Sequence, residues 1–167
     1  MRIIGIDPGL RLTGYGCVEV RPSRWDPALV EAGVIRLDEA ASIASRLVEL
    51  FSDLGSILDQ LAPQRIAVEK LYAHYAHPTT AIKMGHARGV ILLAAQQREI
   101  ELVELGATEV KKSLTGNGHA AKGQIQTAVQ ALFRLGEVPH PHDVADAIAI
   151  ALCAARRLSI PQTRALA

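Results

Sequence analysis

The chain has 167 residues, 49% hydrophobic and 21% charged, with 18 Lys and Arg against 17 Asp and Glu for a formal net charge of +1. That composition excludes disorder, a collagen-like repeat and a disulfide scaffold, and the length suits one domain with a sizeable core. A charge so close to zero excludes a uniformly basic coat, so any nucleic-acid partner has to be argued from local charge.

The opening run IIGID (3–7), mostly β-branched and ended by Asp-Pro-Gly, predicts a buried strand that delivers Asp7 into a turn. It is too short for a signal-peptide core, and the longest apolar run, Ala147 to Ala155, is half of the roughly 20 residues a membrane span needs. A cytoplasmic protein with no membrane partner is expected, with Cys17 and Cys153 as reduced core residues. TGYGCVEV (13–20) and LVEAGVIRL (29–37), separated by RPSRWDPA, predict a hairpin, so three strands follow one another as an antiparallel meander.

Ile43, Leu47, Leu50, Leu54, Ile57, Leu58 and Leu61 fall on one helical stripe, with Asp38 in the N-cap region and Pro63 past the end. RIAVE (65–69) predicts a second buried strand ending at Glu69, then a helix over about 79–97 and the strand-like IELVEL (100–105), a βαβ alternation. That helix carries Ile82, Met84, Gly85, Ala87, Val90, Ile91, Ala94 and Ala95 around much of its circumference, which makes it either central or an interface. A short helix over 108–114, the glycine-punctuated TGNGHAAKG and helices over 124–135 and 143–158 close the chain. The expected fold is α/β, a mixed five-stranded sheet flanked by helices, as one domain over 1–158 with a C-terminal tail 159–167.

Asp7 and Glu69 both end apolar strands, where ligand sites of open α/β sheets lie, and they meet if the two strands are parallel neighbours. Asp143 and Asp146 are spaced i,i+3 at a helix start and share one face. Four acids brought together repel one another and are costly to desolvate, so such a cluster makes sense if it holds divalent cations. Oxygen donors favour Mg²⁺ or Mn²⁺, and two such ions about 4 Å apart activate a water and stabilise the leaving oxygen of a phosphodiester. Spacing alone leaves open that Asp-Pro-Gly is only a turn and that Asp143 only serves the orphan amides of its helix.

Charge is polarised along the chain. Residues 70–98 carry Lys70, Lys83, Arg88 and Arg98 with no acid, and residues 110–136 carry Lys111, Lys112, Lys122 and Arg134 with none, whereas 26–59 holds seven acids against Arg36 and Arg46. Lys83, Arg88, Lys111, Lys112 and Lys122 are therefore candidate phosphate contacts. His140 and His142 are expected in a solvated Pro-His loop.

IIGIDPGLRLTGYG, IAVEKLY, IKMGHARGV, GNGHAAKGQIQ and HDVADAIAIALC, in this order, resemble the RuvC family of Holliday junction resolvases over about residues 1–157. The first block alone also resembles sugar kinases and other actin-like ATPases. The resemblance implies a ribonuclease-H-like fold, a homodimer, branch-migration partners of the RuvA and RuvB type, and Mg²⁺-dependent nicking of two strands of a four-way DNA junction. It implies catalytic, metal-binding roles for Asp7, Glu69, Asp143 and Asp146, with Lys111 and Lys122 near the cleaved strand. Lys122 is expected to stabilise the scissile phosphate from a mobile glycine loop, and Tyr72 to stack on an unpaired base at the junction. Gly85 and Gly89 permit the close helix approach that the implied dimer needs.

Overall fold

The computed structural model describes residues 1–21, 27–70 and 78–159. Its strands are β1 (Arg2–Asp7), β2 (Leu12–Glu19), β3 (Ala28–Arg36), β4 (Arg65–Glu69) and β5 (Glu101–Leu105). Its helices are α1 (Ile43–Leu61), α2 (Pro78–Gln97), α3 (Ala107–Thr115), α4 (Lys122–Phe133) and α5 (His142–Ser159). The five strands form one mixed sheet in the order β3-β2-β1-β4-β5, with β1 antiparallel to β2 and parallel to β4.

Strand periodicity assigns the side chains to two cores. Ile4, Ile6, Cys17, Ile35, Ile66 and Val68 face α1 and α2, where they pack with Leu50, Leu54, Leu58 and Ile91. Ile3, Val18, Ala67 and Leu105 face the other way, toward α3, α4 and α5. Counting in twos from Ile3 and from Ala67 puts Asp7 and Glu69 on the α5 side. Both cysteines are free and buried, one in each core.

Helix α5 lies close on the sheet because the strands beneath it carry glycine. A Cβ on Gly5 would collide with the Ala147 carbonyl, one on Gly14 with the backbone of Asp143 and one on Gly16 with Ile148. The helix answers with its own small residues, Ala145, Ala147, Ala149, Ala151, Ala154 and Ala155, all buried. Burying apolar surface at roughly 25 cal/mol per Å² makes this contact stabilising.

Helix α1 begins later than Asp38 as its cap would suggest. Its N-cap is Ser42, whose hydroxyl accepts the Ser45 N–H at 3.1 Å, while Asp38 caps a separate turn by accepting the Ala40 N–H at 2.9 Å. The apolar stripe runs on to Leu61, and Ala62 closes the helix in the left-handed region at φ 45°. On α2, Ala87, Ile91, Ala94 and Ala95 are buried, whereas Ile82 and Leu93 are 61% and 52% exposed and space is open above Gly85 and Gly89. One face of α2 is thus central and the opposite face is left uncovered by the described residues. Among the described residues, no helix is long and apolar enough to cross a membrane.

Candidate active site

The site is built where β1 and β4 end. Their parallel register sets Ile6 opposite Val68, so Asp7 and Glu69 are the next residues along two adjacent strands. The turn after Asp7 is fastened from below by Thr13, which is fully buried. Its hydroxyl donates to the Gly9 carbonyl at 2.7 Å and accepts the Gly9 N–H at 3.2 Å. Thr13 carried no sequence signal, because a threonine inside a strand is ordinary until its turn partner is seen.

Helix α5 brings the other two acids. Asp143 and Asp146 stand in its first two turns and line, with Asp7 and Glu69, a cleft of about 370 Å³. Lys111 from α3 and Lys122 from α4 line the same cleft, over a floor that includes Leu12, Met84, Ile125 and Ala149. The structure therefore gathers four acids and two lysines from five elements.

The electrostatics follow from that crowding. Burial, then Asp146, Asp143 and Glu69, push the Asp7 carboxyl up to about 8, with Lys122 pulling the other way. Burial and then Asp146 raise Glu69 against the pull of Lys111. Asp146 is raised by burial and by Asp143, against Lys122, His142 and Lys111. The Oδ2 atom of Asp143 is buried with no hydrogen-bond partner among the described residues. Among the described residues, no three His, Cys, Asp or Glu side chains already converge tightly enough to hold an ion. The donor set and the orphaned Oδ2 nevertheless fit a hard divalent cation, which would supply the missing positive charge.

Three expectations are corrected. Arg88 is not the free cation that the sequence suggests: its side chain is only 14% exposed and its guanidinium is ion-paired with Glu104 on β5. Lys122 does not ride on the glycine loop but opens α4. The loop before it is knit by the Asn117 side chain, which accepts the His119 N–H at 2.9 Å, and by the Thr115 hydroxyl, which accepts the Asn117 N–H at 3.1 Å. His142 is the first residue of α5 rather than a loop residue; it lines the cleft with Nδ1 3.8 Å from Asp143 Oδ2. Its i,i+4 spacing to Asp146 was the available signal. Lys112 is exposed on α3 outside the cleft, Lys83 lines an adjoining cavity, and Tyr72 lies outside the described residues.

The family described as Crossover junction endodeoxyribonuclease RuvC matches residues 3–154. Proteins of that same description from Hydrogenovibrio crunogenus and Rhodopirellula baltica are 45% and 46% identical to this chain, over 95% and 99% of it and 90% and 92% of their own lengths. Among solved structures, T. thermophilus RuvC in complex with a Holliday junction substrate superimposes with a TM-score of 0.84 at 31% identity, covering 94% of this chain and 96% of that one.

Proposed function

This chain belongs to the RuvC family of crossover junction endodeoxyribonucleases, and from that premise we propose how its own residues carry the reaction. It is a metal-dependent, ribonuclease-H-like nuclease of recombination and repair that resolves four-way DNA junctions by paired nicks. The phosphotransferase alternative falls away, because the match runs over residues 3–154 and not over the first block alone.

In our reading Asp7, Glu69, Asp143 and Asp146 hold two ions per site, Mg²⁺ with Mn²⁺ as a substitute. Ions held there would supply activation of the attacking water and stabilisation of the leaving oxygen. The observation that carries the reading is the convergence of four carboxylates in one cleft, one of them with an orphaned buried oxygen. The protein's part is positioning. Backbone pairing fixes Asp7 and Glu69, and the glycine contacts fix α5, so the acids keep their places when a phosphate arrives. Lys111 and Lys122 offset the charge of a phosphate brought against acids, and the apolar floor keeps that attraction strong. Lys83 and the exposed Lys112 extend the basic surface, and Tyr72 stacks on an unpaired base.

The chain acts as a homodimer, and the uncovered face of α2 supports this. Ile82, Gly85, Gly89 and Leu93 follow the i, i+3, i+7, i+11 pattern of one helix face, with no described residue above the two glycines. Two sites related by a two-fold axis suit a four-armed substrate. We further read residues 1–158 as one nuclease domain with a tail 159–167, working in the cytoplasm with branch-migration proteins of the RuvA and RuvB type.

The test uses a synthetic four-way junction and a matched duplex, with Mg²⁺ or EDTA, for the wild type and Asp146→Asn. Paired nicks confined to the junction, lost in EDTA and in the variant while binding persists, are expected. Cleavage of the duplex at the same rate, or an active Asp146→Asn protein, would overturn the assignment.

A further inference from the structure

A second cavity of about 370 Å³ adjoins the cleft on the side of α1 and α2, and the two share Gly9, Leu12, Met84, His142 and Asp143 as a common wall. Its remaining walls are Leu10, Arg11, Glu39, Arg46, Thr80 and Lys83. The three cations come from three separate parts of the chain: the turn between β1 and β2, the first turn of α1, and α2. Residues far apart in sequence have thus been gathered at one mouth.

Arg46 is locked there. Its Nε donates to the Ala41 carbonyl at 3.1 Å, Nη1 to the Leu10 carbonyl at 3.0 Å and Nη2 to the Glu39 carbonyl at 3.2 Å. Carbonyls fix a guanidinium without neutralising it, and two of its five N–H groups remain. Arg11 is held differently, by the Glu39 carboxylate at 2.7 Å, with side chains 74% and 61% exposed. A pair so exposed is weak and gives way to a stronger anion. Lys83 is exposed and has no ion pair among the described residues.

We infer that this cavity is a second anion subsite, for the phosphate beside the scissile one on the strand being cut, with Arg11, Arg46 and Lys83 as its cations and Glu39 as an acidic stand-in that keeps Arg11 occupied until DNA arrives. The inference rests on the nuclease reading above. The cut strand would then be gripped on both flanks of the acids, by Lys111 and Lys122 on one side and by this subsite on the other. Glu39 acts as a gate on affinity, since DNA gains Arg11 only by displacing a carboxylate already in place.

The test is binding of a labelled four-way junction in EDTA across a series of salt concentrations, so that cleavage plays no part. One phosphate contact contributes a factor of about [salt]^−0.9, so its loss weakens binding about eight-fold at 0.1 M salt and lowers the log–log slope by about 0.9. Arg11→Gln and Lys83→Gln are each expected to show that loss, and the double variant both losses. Glu39→Gln is expected to bind several-fold more tightly than wild type. Arg46 is left intact, because its three carbonyl bonds hold the turn together. Arg65→Gln, which removes a cation at the opposite end of the sheet, is the control and is expected to bind as wild type. A double variant with wild-type affinity and slope, or a Glu39→Gln protein that binds more weakly, would overturn the subsite. Wild-type protein that failed to bind the junction at all would overturn the nuclease reading instead.

Discussion

Asp7 sits among three other acids, and its proton is where that crowding can be measured. With the native carboxyl pushed up to about 8 and an unfolded value near the ordinary 3.8, the folded protein holds a proton that the unfolded chain has released. Native stability from this group is therefore full below about pH 4 and declines as pH rises toward 8. In EDTA, Asp7→Asn removes that decline. The variant is expected to melt close to wild type near pH 4 and above it at pH 8, by about 2 kcal/mol or more, roughly 5 °C for a chain of this size. A melting difference that did not change with pH would refute the raised carboxyl, and with it the burial and crowding that raise it. The same acids were legible in the sequence as residue types at strand and helix ends, but their meeting was not, because it depends on β1 and β4 being parallel neighbours. Arg88 was misread for a related reason: a cation looks free in a sequence until a partner such as Glu104, 16 residues away, is found beside it.

Among the elements, α5 carries the most consequence, since its contact with glycine is what sets Asp143 and Asp146 against the strand ends. Gly14 is the telling position. It pairs with Asp7 across the β1–β2 ladder and lies under the backbone of Asp143, so one residue touches both halves of the site. Gly14→Ala should cost about 1–3 kcal/mol, as overpacking does. It should also lower junction cleavage at saturating Mg²⁺ at least ten-fold, with junction binding in EDTA retained. Cleavage at the wild-type rate would show that α5 can move away without displacing the acids. All five strands and all five helices were legible from periodicity and turn residues, with ends off by one to a few residues. The start of α1 was not: Asp38 and Ser42 are both good caps by type, and only the backbone decides that Ser42 bonds the helix. The glycines of β1 and β2 read as weak strand positions until the helix above them is seen.

For the molecule as a whole, the function proposed above divides two tasks across the sheet, chemistry on the α5 side and assembly on the α2 side. A single acidic substitution on the uncovered face, Leu93→Glu, would place two like charges against each other across a two-fold axis. Sedimentation should then report a monomer, with paired nicking reduced to single, uncoupled cuts. A dimer that persisted at the same concentration would remove α2 as the interface. The charge polarity read along the chain survives in three dimensions only in part. Lys111 and Lys122 do face the site, but Arg88 and Arg98 are spent on Glu104 and Asp59.

The division into two cores also bears on how the protein can be modified. Among the described residues no buried side chain is common to the two, so a change beneath α1 and a change beneath α5 meet only through the backbone of the sheet between them. Their free-energy effects should then add to within about 0.5 kcal/mol, as independent sites do. A heat-tolerant resolvase could accordingly be engineered by improving the packing around Leu54 while Ile148 and its surroundings are left alone, raising durability without retuning the cut.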